Sequence, residues 1–247
     1  MSRLLTTAAF AAMSLVLPAV GCVGSHQCTD CGKAVDGGKV YDVVYVPKVV
    51  IKFDGSLDEP AWQKAVCLTD FSLPWEKTPA PRLEFRAICD DENLYFAFRV
   101  CGSYAPAGKE GGEDKVVEED RVELYLSCDD SMKEYYGLEI DSLGRVLDYK
   151  ASHYRNLDGS WRCPGLKAAG KAGADGYVVE GSIPLATLVA LRMPLRKDGD
   201  KVLAALFRGI APHDGDRQWH WESWVDPKIE KPDFHVPGVL GYLRLKR

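Results

Sequence analysis

The most constraining feature of the sequence is a series of short segments in which apolar and polar residues alternate. Residues 121–126 (RVELYL) place an apolar side chain at every second position, and residues 83–88 follow the same pattern. A turn sequence at residues 90–93 (DDEN) leads into the apolar residues 94–100, which together predict a hairpin. Alternation with a period of two is typical of strands that bury one face. About ten such segments, separated by turn residues, predict an all-β fold.

Helical patterns are scarce. Asp58 is a candidate cap for a short helix over residues 59–65, with Pro60 in the first turn, where proline is tolerated. Residues 185–191 form a second candidate. The sequence therefore predicts an antiparallel β-sandwich, a two-sheet architecture of jelly-roll or immunoglobulin type, with one or two short helices. No internal boundary divides residues 40–247, which we interpret as one domain.

The first 21 residues have the features of a secretory signal peptide. Arg3 is their only charge, and an uncharged apolar run follows before Pro18. The small residues before Cys22 resemble the lipobox of bacterial lipoproteins, so Cys22 is the candidate for lipidation. Ordinary cleavage nearby and free secretion is the alternative. Either reading predicts export to the bacterial envelope or beyond, with membrane contact only through a lipid anchor at Cys22.

Residues 22–39 are predicted to form a flexible, glycine-rich tether that carries a CxxC motif at Cys28 and Cys31. A small disulfide loop is the expected role of this motif, because no second CxxC or βαβ pattern accompanies it. The chain holds eight cysteines, which suits an oxidising compartment, and lipidation would leave seven. The sequence leaves open the pairing of the remaining cysteines, which are Cys67, Cys89, Cys101, Cys128 and Cys163.

Charge and motifs exclude several functions. The whole chain carries a net charge of −5, and its signal contributes one positive charge, so the mature chain is acidic and nucleic acid is not an expected partner. The sequence contains no GxSxG, HExxH, P-loop or GxGxxG motif. These observations predict that the protein is not an enzyme.

Five strings, in order from residue 51 to the C-terminus, resemble motifs of family 9 carbohydrate-binding domains. They are IKFDGSLDEPAW, CDDENLYFAFRV, EEDRVELYL, GYVVEGSIPLATL and WESWVDP…FHVPGVLGYLRL. The resemblance implies a β-sandwich that binds a poly- or oligosaccharide on one sheet face, between aromatic and charged side chains. Within these motifs Asp54, Trp62 and Leu94 are interpreted as fold determinants.

The resemblance also implies site residues. Glu123 matches a sugar-binding acid of the family, Asp120 is the adjacent acid of the same motif, and Glu139 falls where one branch has a sugar-binding arginine. Other candidates come from the strand pattern, since polar side chains share one phase and a charge in the apolar strand 203–210 needs a partner. The complete set of candidate sugar-binding residues is Arg86, Asp120, Glu123, Tyr125, Glu139, Arg208, Trp224 and Phe234.

The sequence departs from one branch of the family, which stacks sugar between two tryptophans. The corresponding positions are about Val117, which cannot stack, and about Phe234, which can. Candidate replacements for the missing ring are Trp219, Trp221, Trp224 and Tyr104. A salt bridge of Glu123 with Arg121 or Arg208 is the alternative role of that acid.

Four further hypotheses remain open. Haem could be held by Met132 or Met193 with one of four histidines, which are His153, His213, His220 and His235. A hydrolase could use Asp120 and Glu123, although positions three apart on a strand face opposite ways. A structural envelope role would suit an odd cysteine. No cofactor is expected, but structural calcium is possible at Asp54, Asp58, Asp90 and Asp91.

Overall fold

The computed structural model describes residues 38–247. The predicted signal peptide, the lipidation site at Cys22, the CxxC motif and almost all of the tether lie outside the described residues. The signal peptide, the lipidation and the CxxC disulfide therefore stay predictions.

The described chain contains twelve strands. They are β1 (Val40–Tyr45), β2 (Arg82–Cys89), β3 (Asn93–Cys101), β4 (Arg121–Ser127), β5 (Tyr135–Asp141), β6 (Val146–Ser152), β7 (Asn156–Asp158), β8 (Lys167–Gly173), β9 (Gly176–Pro184), β10 (Lys201–Ile210), β11 (His220–Ser223) and β12 (Gly241–Lys246).

Helices are short, as the sequence predicts. The helix α1 (Leu185–Ala190) and a 3-10 helix at Pro60–Lys64 occupy the two predicted places. Two more 3-10 turns, at Glu113–Glu118 and Pro237–Val239, were not predicted, because such turns have no hydrophobic periodicity of their own.

The strands follow one hydrogen-bonded path in the order β7-β6-β5-β4-β10-β12-β1-β2-β3-β9-β8, and β11 pairs with β10. Strand β1 runs parallel to both of its neighbours, β12 and β2, whereas the other pairs are antiparallel. The path divides into two halves that are joined through β12. One half contains β4, β5, β6 and β10, and the other contains β2, β3 and β9.

Both halves contribute to one apolar core. Phe85 and Phe98 come from β2 and β3, and Leu124, Leu138 and Leu206 come from β4, β5 and β10. All five side chains are almost completely buried. Because the two halves face each other across this core, the prediction of an all-β sandwich is confirmed.

The Asp-Gly turn near residue 54 is fixed to the sandwich by Glu180 of β9. One carboxylate oxygen of Glu180 accepts the backbone N–H groups of Asp54 at 2.7 Å and Gly55 at 2.6 Å. Gly55 has a φ of 72°, and a β-carbon there would meet the Lys171 side chain at 2.3 Å. The motif therefore requires glycine for both conformation and space.

Asp120 and Arg208 form an ion pair inside the sandwich. The Arg208 guanidinium donates two hydrogen bonds of 2.9 Å to the Asp120 carboxylate, and the Tyr177 hydroxyl donates another of 2.8 Å. Both charged side chains are fully buried. Asp120 shares the inward phase of Val122, which explains why this acid lies in the interior.

Glu222 of β11 lies opposite Arg208 in the strand register and is also fully buried. Burial raises its pKa to about 8 despite the nearby guanidinium. Arg208 therefore has two acidic neighbours, Asp120 and Glu222, of which only Asp120 receives its hydrogen bonds.

We expect Asp120→Ala to lower the free energy of unfolding by about 3–5 kcal/mol, because it leaves Arg208 buried without its hydrogen-bonded partner. Asp42→Ala is the matched control, since Asp42 also accepts two hydrogen bonds from one arginine, Arg244, but at a half-exposed position. The control should cost at most about 1 kcal/mol. Urea unfolding followed by tryptophan fluorescence measures both, and equal losses would contradict a stabilising role for the interior pair.

Candidate functional site

A second buried cluster lies on the outer face of β4, β5, β6 and β10. It includes Tyr125, Tyr149, Phe207 and Phe234. Phe234 belongs to the segment between β11 and β12, and this segment packs over the sheet face. A cavity of about 210 Å³ remains between segment and sheet, and it is lined by Trp75, Arg121, Glu123, Tyr125, Glu139, Arg155, Trp221, Pro232, Asp233, Phe234 and His235.

Aromatic rings form one side of this cavity. Phe234 stacks on Phe207 with centroids 3.9 Å apart and planes 14° from parallel. Trp75 and Trp221 approach Phe234 at 5.5 and 5.7 Å. The indole N–H of Trp75 donates to the Ile229 carbonyl at 2.9 Å, which ties that ring to the covering segment. The cavity therefore presents fixed apolar ring surfaces.

Arg121 and two carboxylates form the floor. The Arg121 Nε donates to Glu139 at 2.6 Å, and a terminal nitrogen lies 3.0 Å from Glu123. Glu123 and Glu139 are directly opposite each other on β4 and β5, and all three side chains are buried. Burial and the adjacent charge of Glu139 raise the pKa of Glu123 to about 8.

Two tryptophans hold the Arg121 guanidinium from the side of β11. Trp219 and Trp221 are stacked at 5.7 Å, and the guanidinium carbon lies 5.6 and 5.8 Å from their ring centroids. Such contacts stabilise a cation over an aromatic ring. Arg121 is therefore positioned by rings and by carboxylates together.

Hydroxyl groups extend the polar floor. The Tyr149 hydroxyl donates to Glu139 at 3.1 Å and lies 2.8 Å from the Tyr125 hydroxyl.

Burial lowers the pKa of His235 to about 4, so its imidazole is neutral at neutral pH. The Tyr135 hydroxyl lies 2.7 Å from its Nδ1 and can donate to it.

The turn between β6 and β7 reaches the covering segment at the rim of the cavity. Arg155 donates to one oxygen of Asp233 at 2.9 Å, and the Tyr154 hydroxyl donates to the other at 2.6 Å. This contact closes one side of the cavity and neutralises the charge of Asp233 there.

The structure brings together four of the residues proposed from sequence, which are Glu123, Tyr125, Glu139 and Phe234. The alternating pattern of β4 explains the first two, because it directs Val122 and Leu124 into the core and Glu123 and Tyr125 outward. Contact of these residues with a sugar stays a prediction.

The other four candidates lie elsewhere. Asp120 and Arg208 pair inside the sandwich, and Trp224 is buried in the core between the halves. Arg86 is on β2, in the opposite half, where it forms a 2.8 Å ion pair with Glu84. Arg86 therefore does not lie with Glu123 and Glu139.

The aromatic replacements proposed for Val117 also separate. Val117 is exposed, and its carbonyl accepts a 3.2 Å hydrogen bond from Arg121. Tyr104 packs on Tyr177 in the core, whereas Trp221 lines the cavity. Trp75 lines it too, but its segment has no periodicity that could have identified it.

Other lining residues were missed for different reasons. Arg121 has the same strand phase as Glu123, so the alternating pattern could have found it. Arg155, Asp233 and His235 lie outside the strands, and their positions depend on how two loops pack together.

The structure bears on the rival readings as well. Asp120 and Glu123 face opposite sides of the sheet, so they do not form a catalytic pair. Met132 and Met193 are buried in different apolar clusters. Within residues 38–247, the structure contains no group of at least three His, Cys, Asp or Glu side chains that could hold a metal ion. Structural calcium remains a prediction.

Cysteine and membrane predictions are tested only in the described part of the chain. Cys89, Cys128 and Cys163 carry free thiols there. No helix within residues 38–247 is long and apolar enough to cross a bilayer.

A β-sandwich with a cavity of aromatic and charged side chains on one outer face is typical of a ligand-binding module. The family model for carbohydrate family 9 binding domain-like proteins matches residues 53–247. Because this match spans most of the chain, the protein belongs to that family.

Solved structures share the fold. A proposed carbohydrate-binding protein from Bacteroides uniformis is 20% identical, with a TM-score of 0.63, and the match covers 85% of this chain and 100% of that one. A family 9 carbohydrate-binding module from Caldicellulosiruptor kristjanssonii, in complex with cellotriose, is 16% identical, with a TM-score of 0.57 over 84% and 94% of the two chains.

A structure of such a module from the same organism in complex with glucose is 17% identical, with a TM-score of 0.55, and the match covers 84% of this chain and 96% of that one. No curated protein matches the chain.

Proposed function

We propose that the protein is a non-catalytic carbohydrate-binding module that holds a saccharide in the outer-face cavity. The observation that carries this proposal is the convergence of Trp75, Trp221 and Phe234 with the Arg121, Glu123 and Glu139 cluster. The cavity therefore offers both an aromatic surface for the sugar ring and charged groups for its hydroxyls.

The chemistry of the cavity suits a pyranose ring. Carboxylates accept hydrogen bonds from hydroxyl groups, and a guanidinium donates to their oxygens, so neighbouring hydroxyls can bind both kinds of group. Aromatic rings provide apolar contact for the C–H face of the sugar. Because the rings and the floor are already held by internal contacts, little ordering is needed when a ligand binds.

The family supports the same proposal. The two related modules from Caldicellulosiruptor kristjanssonii were solved with cellotriose and with glucose. A β-linked glucose oligosaccharide is therefore the natural first ligand to test on this chain.

Hydrolysis is the rival function that the cavity itself raises, because Glu123 and Glu139 are neighbouring carboxylates in the same place. Glycosidases need two carboxylates on either side of the scissile bond. Here Arg121 lies between the two acids on one wall of the cavity, where it donates a hydrogen bond to Glu139 and forms an ion pair with Glu123. This arrangement favours binding over catalysis.

We expect Glu123→Ala to weaken cellotriose binding by about 2- to 10-fold, since a hydrogen bond between neutral groups contributes about 0.5–1.5 kcal/mol. Phe234→Ala should also weaken binding, because it removes the ring that the other two contact. Isothermal titration calorimetry measures the affinities, and circular dichroism verifies folding.

Glu92→Ala is the control for these variants, because Glu92 is an exposed acid in the β2–β3 turn of the opposite half. Its affinity should equal that of the unaltered protein. If Glu123→Ala binds as tightly as this control, or if an array of plant and microbial glycans shows no binding, the proposed function fails.

We also propose that the module is exported and held at the bacterial envelope by a lipid on Cys22. The support is the order of a basic start, an apolar run and Gly21-Cys22 in the sequence. The glycine-rich residues that follow would then separate the module from the membrane.

Cys22→Ser should release the protein from the membrane fraction of a bacterial host, because serine cannot take the thioether-linked lipid. Detergent partitioning and the mass of the mature N-terminus measure this change. Cys163→Ser, at a buried thiol of the module, is the control and should stay membrane-bound. A Cys22→Ser protein that still partitions with detergent would contradict lipidation.

A further inference from the structure

The cavity is lined by more acidic than basic side chains. The charged side chains that line it are Arg121, Glu123, Glu139, Arg155 and Asp233. Arg155 and Asp233 pair with each other at the rim. His235 is neutral at neutral pH, since burial keeps its pKa near 4. On the floor, one guanidinium therefore faces two carboxylates.

Arg121 does not satisfy both acids equally. Its Nε donates to Glu139, and one terminal nitrogen donates to the Val117 carbonyl at 3.2 Å. The other terminal nitrogen is 3.0 Å from the Oε1 of Glu123, but this oxygen accepts no hydrogen bond. Glu123 is only 2% exposed. A buried carboxylate oxygen beside the cavity thus has an ion pair with Arg121 but no well-formed hydrogen bond.

We propose that the cavity selects saccharides that carry a protonated amino group over their neutral counterparts. This inference rests on the proposed function and adds the charge of the ligand. The group on the protein that makes the selection is the Glu123 carboxylate, with Glu139 opposite it.

Burial makes the charge of the ligand important. Glu123 and Glu139 share the single positive charge of Arg121. A buried carboxylate at Glu123 therefore needs a second source of positive charge. In the empty cavity a proton does this, which agrees with the raised pKa of Glu123. An ammonium group on a bound sugar brings both the missing donor and the missing charge. A neutral hydroxyl brings the donor alone.

The same reasoning predicts a proton exchange. When the ammonium group binds, Glu123 becomes a carboxylate, and the proton that it carried leaves to the solvent. A neutral sugar leaves that proton in place. The heat of binding for the amino sugar should therefore depend on the ionisation enthalpy of the buffer, and the heat for the neutral sugar should not.

Three β-1,4-linked trisaccharides test the selection, because they differ at C2 alone: cellotriose with a hydroxyl, its glucosamine counterpart with a free amine, and the N-acetylated form. Calorimetry at a slightly acidic pH, where the amine is protonated, should give an affinity for the glucosamine form that is about tenfold or more above that for cellotriose. The N-acetylated form should show no such gain. Cellotriose should compete with the glucosamine form for the protein.

Glu123→Gln separates this effect from general attraction to an acidic protein. The substitution keeps the shape of the side chain and removes its charge, so the ratio of the two affinities should fall to about one. Glu92→Gln removes an exposed acid in the opposite half and should leave the ratio unchanged.

The outcomes are distinct. Equal affinity for the amino and neutral sugars, with both bound, overturns the charge selection and leaves the proposed function standing. A preference that persists in Glu123→Gln also overturns the selection. If the protein binds none of the three sugars and no glycan on the array, the proposed function itself is overturned.

Discussion

The sharing of Arg121 between two buried carboxylates is the interaction on which the rest of the site depends. Glu123 and Glu139 lie opposite each other on β4 and β5, so without a cation between them their charges would repel at short range. Trp219 and Trp221 hold the guanidinium from one side. Glu139 then orders Tyr149. The polar floor and the aromatic wall are therefore one connected arrangement.

A second arginine–carboxylate cluster lies inside the sandwich and consists of Asp120, Arg208 and Tyr177. Its acid, Asp120, directly precedes Arg121 in the sequence but lies on the opposite side of the sheet. The inner cluster is closed, fully buried and hydrogen-bonded between strands. The outer cluster borders a cavity. Strand alternation therefore places one of these neighbouring charged residues inside the sandwich and the other at the cavity.

The sequence predicted the parts that depend on periodicity. The alternation of β4 placed Glu123 and Tyr125 on the outer face, and the ordered motifs led to the correct fold and family. Residues outside the strands were not predictable in the same way. Trp75 reaches the cavity from a long connection, and Trp224 enters the core, because the packing of loops on the sheet decides both.

The proposed saccharide site is the outer-face cavity, against Phe234 and above the Arg121 cluster. The decisive measurement is a crystal structure of the protein determined after its crystals have been soaked with cellotriose. We expect a sugar ring in contact with Phe234, with a hydroxyl within hydrogen-bond distance of Glu123 or Glu139. Sugar bound instead on the opposite half of the sandwich, beside Arg86, with the outer-face cavity empty, would contradict it.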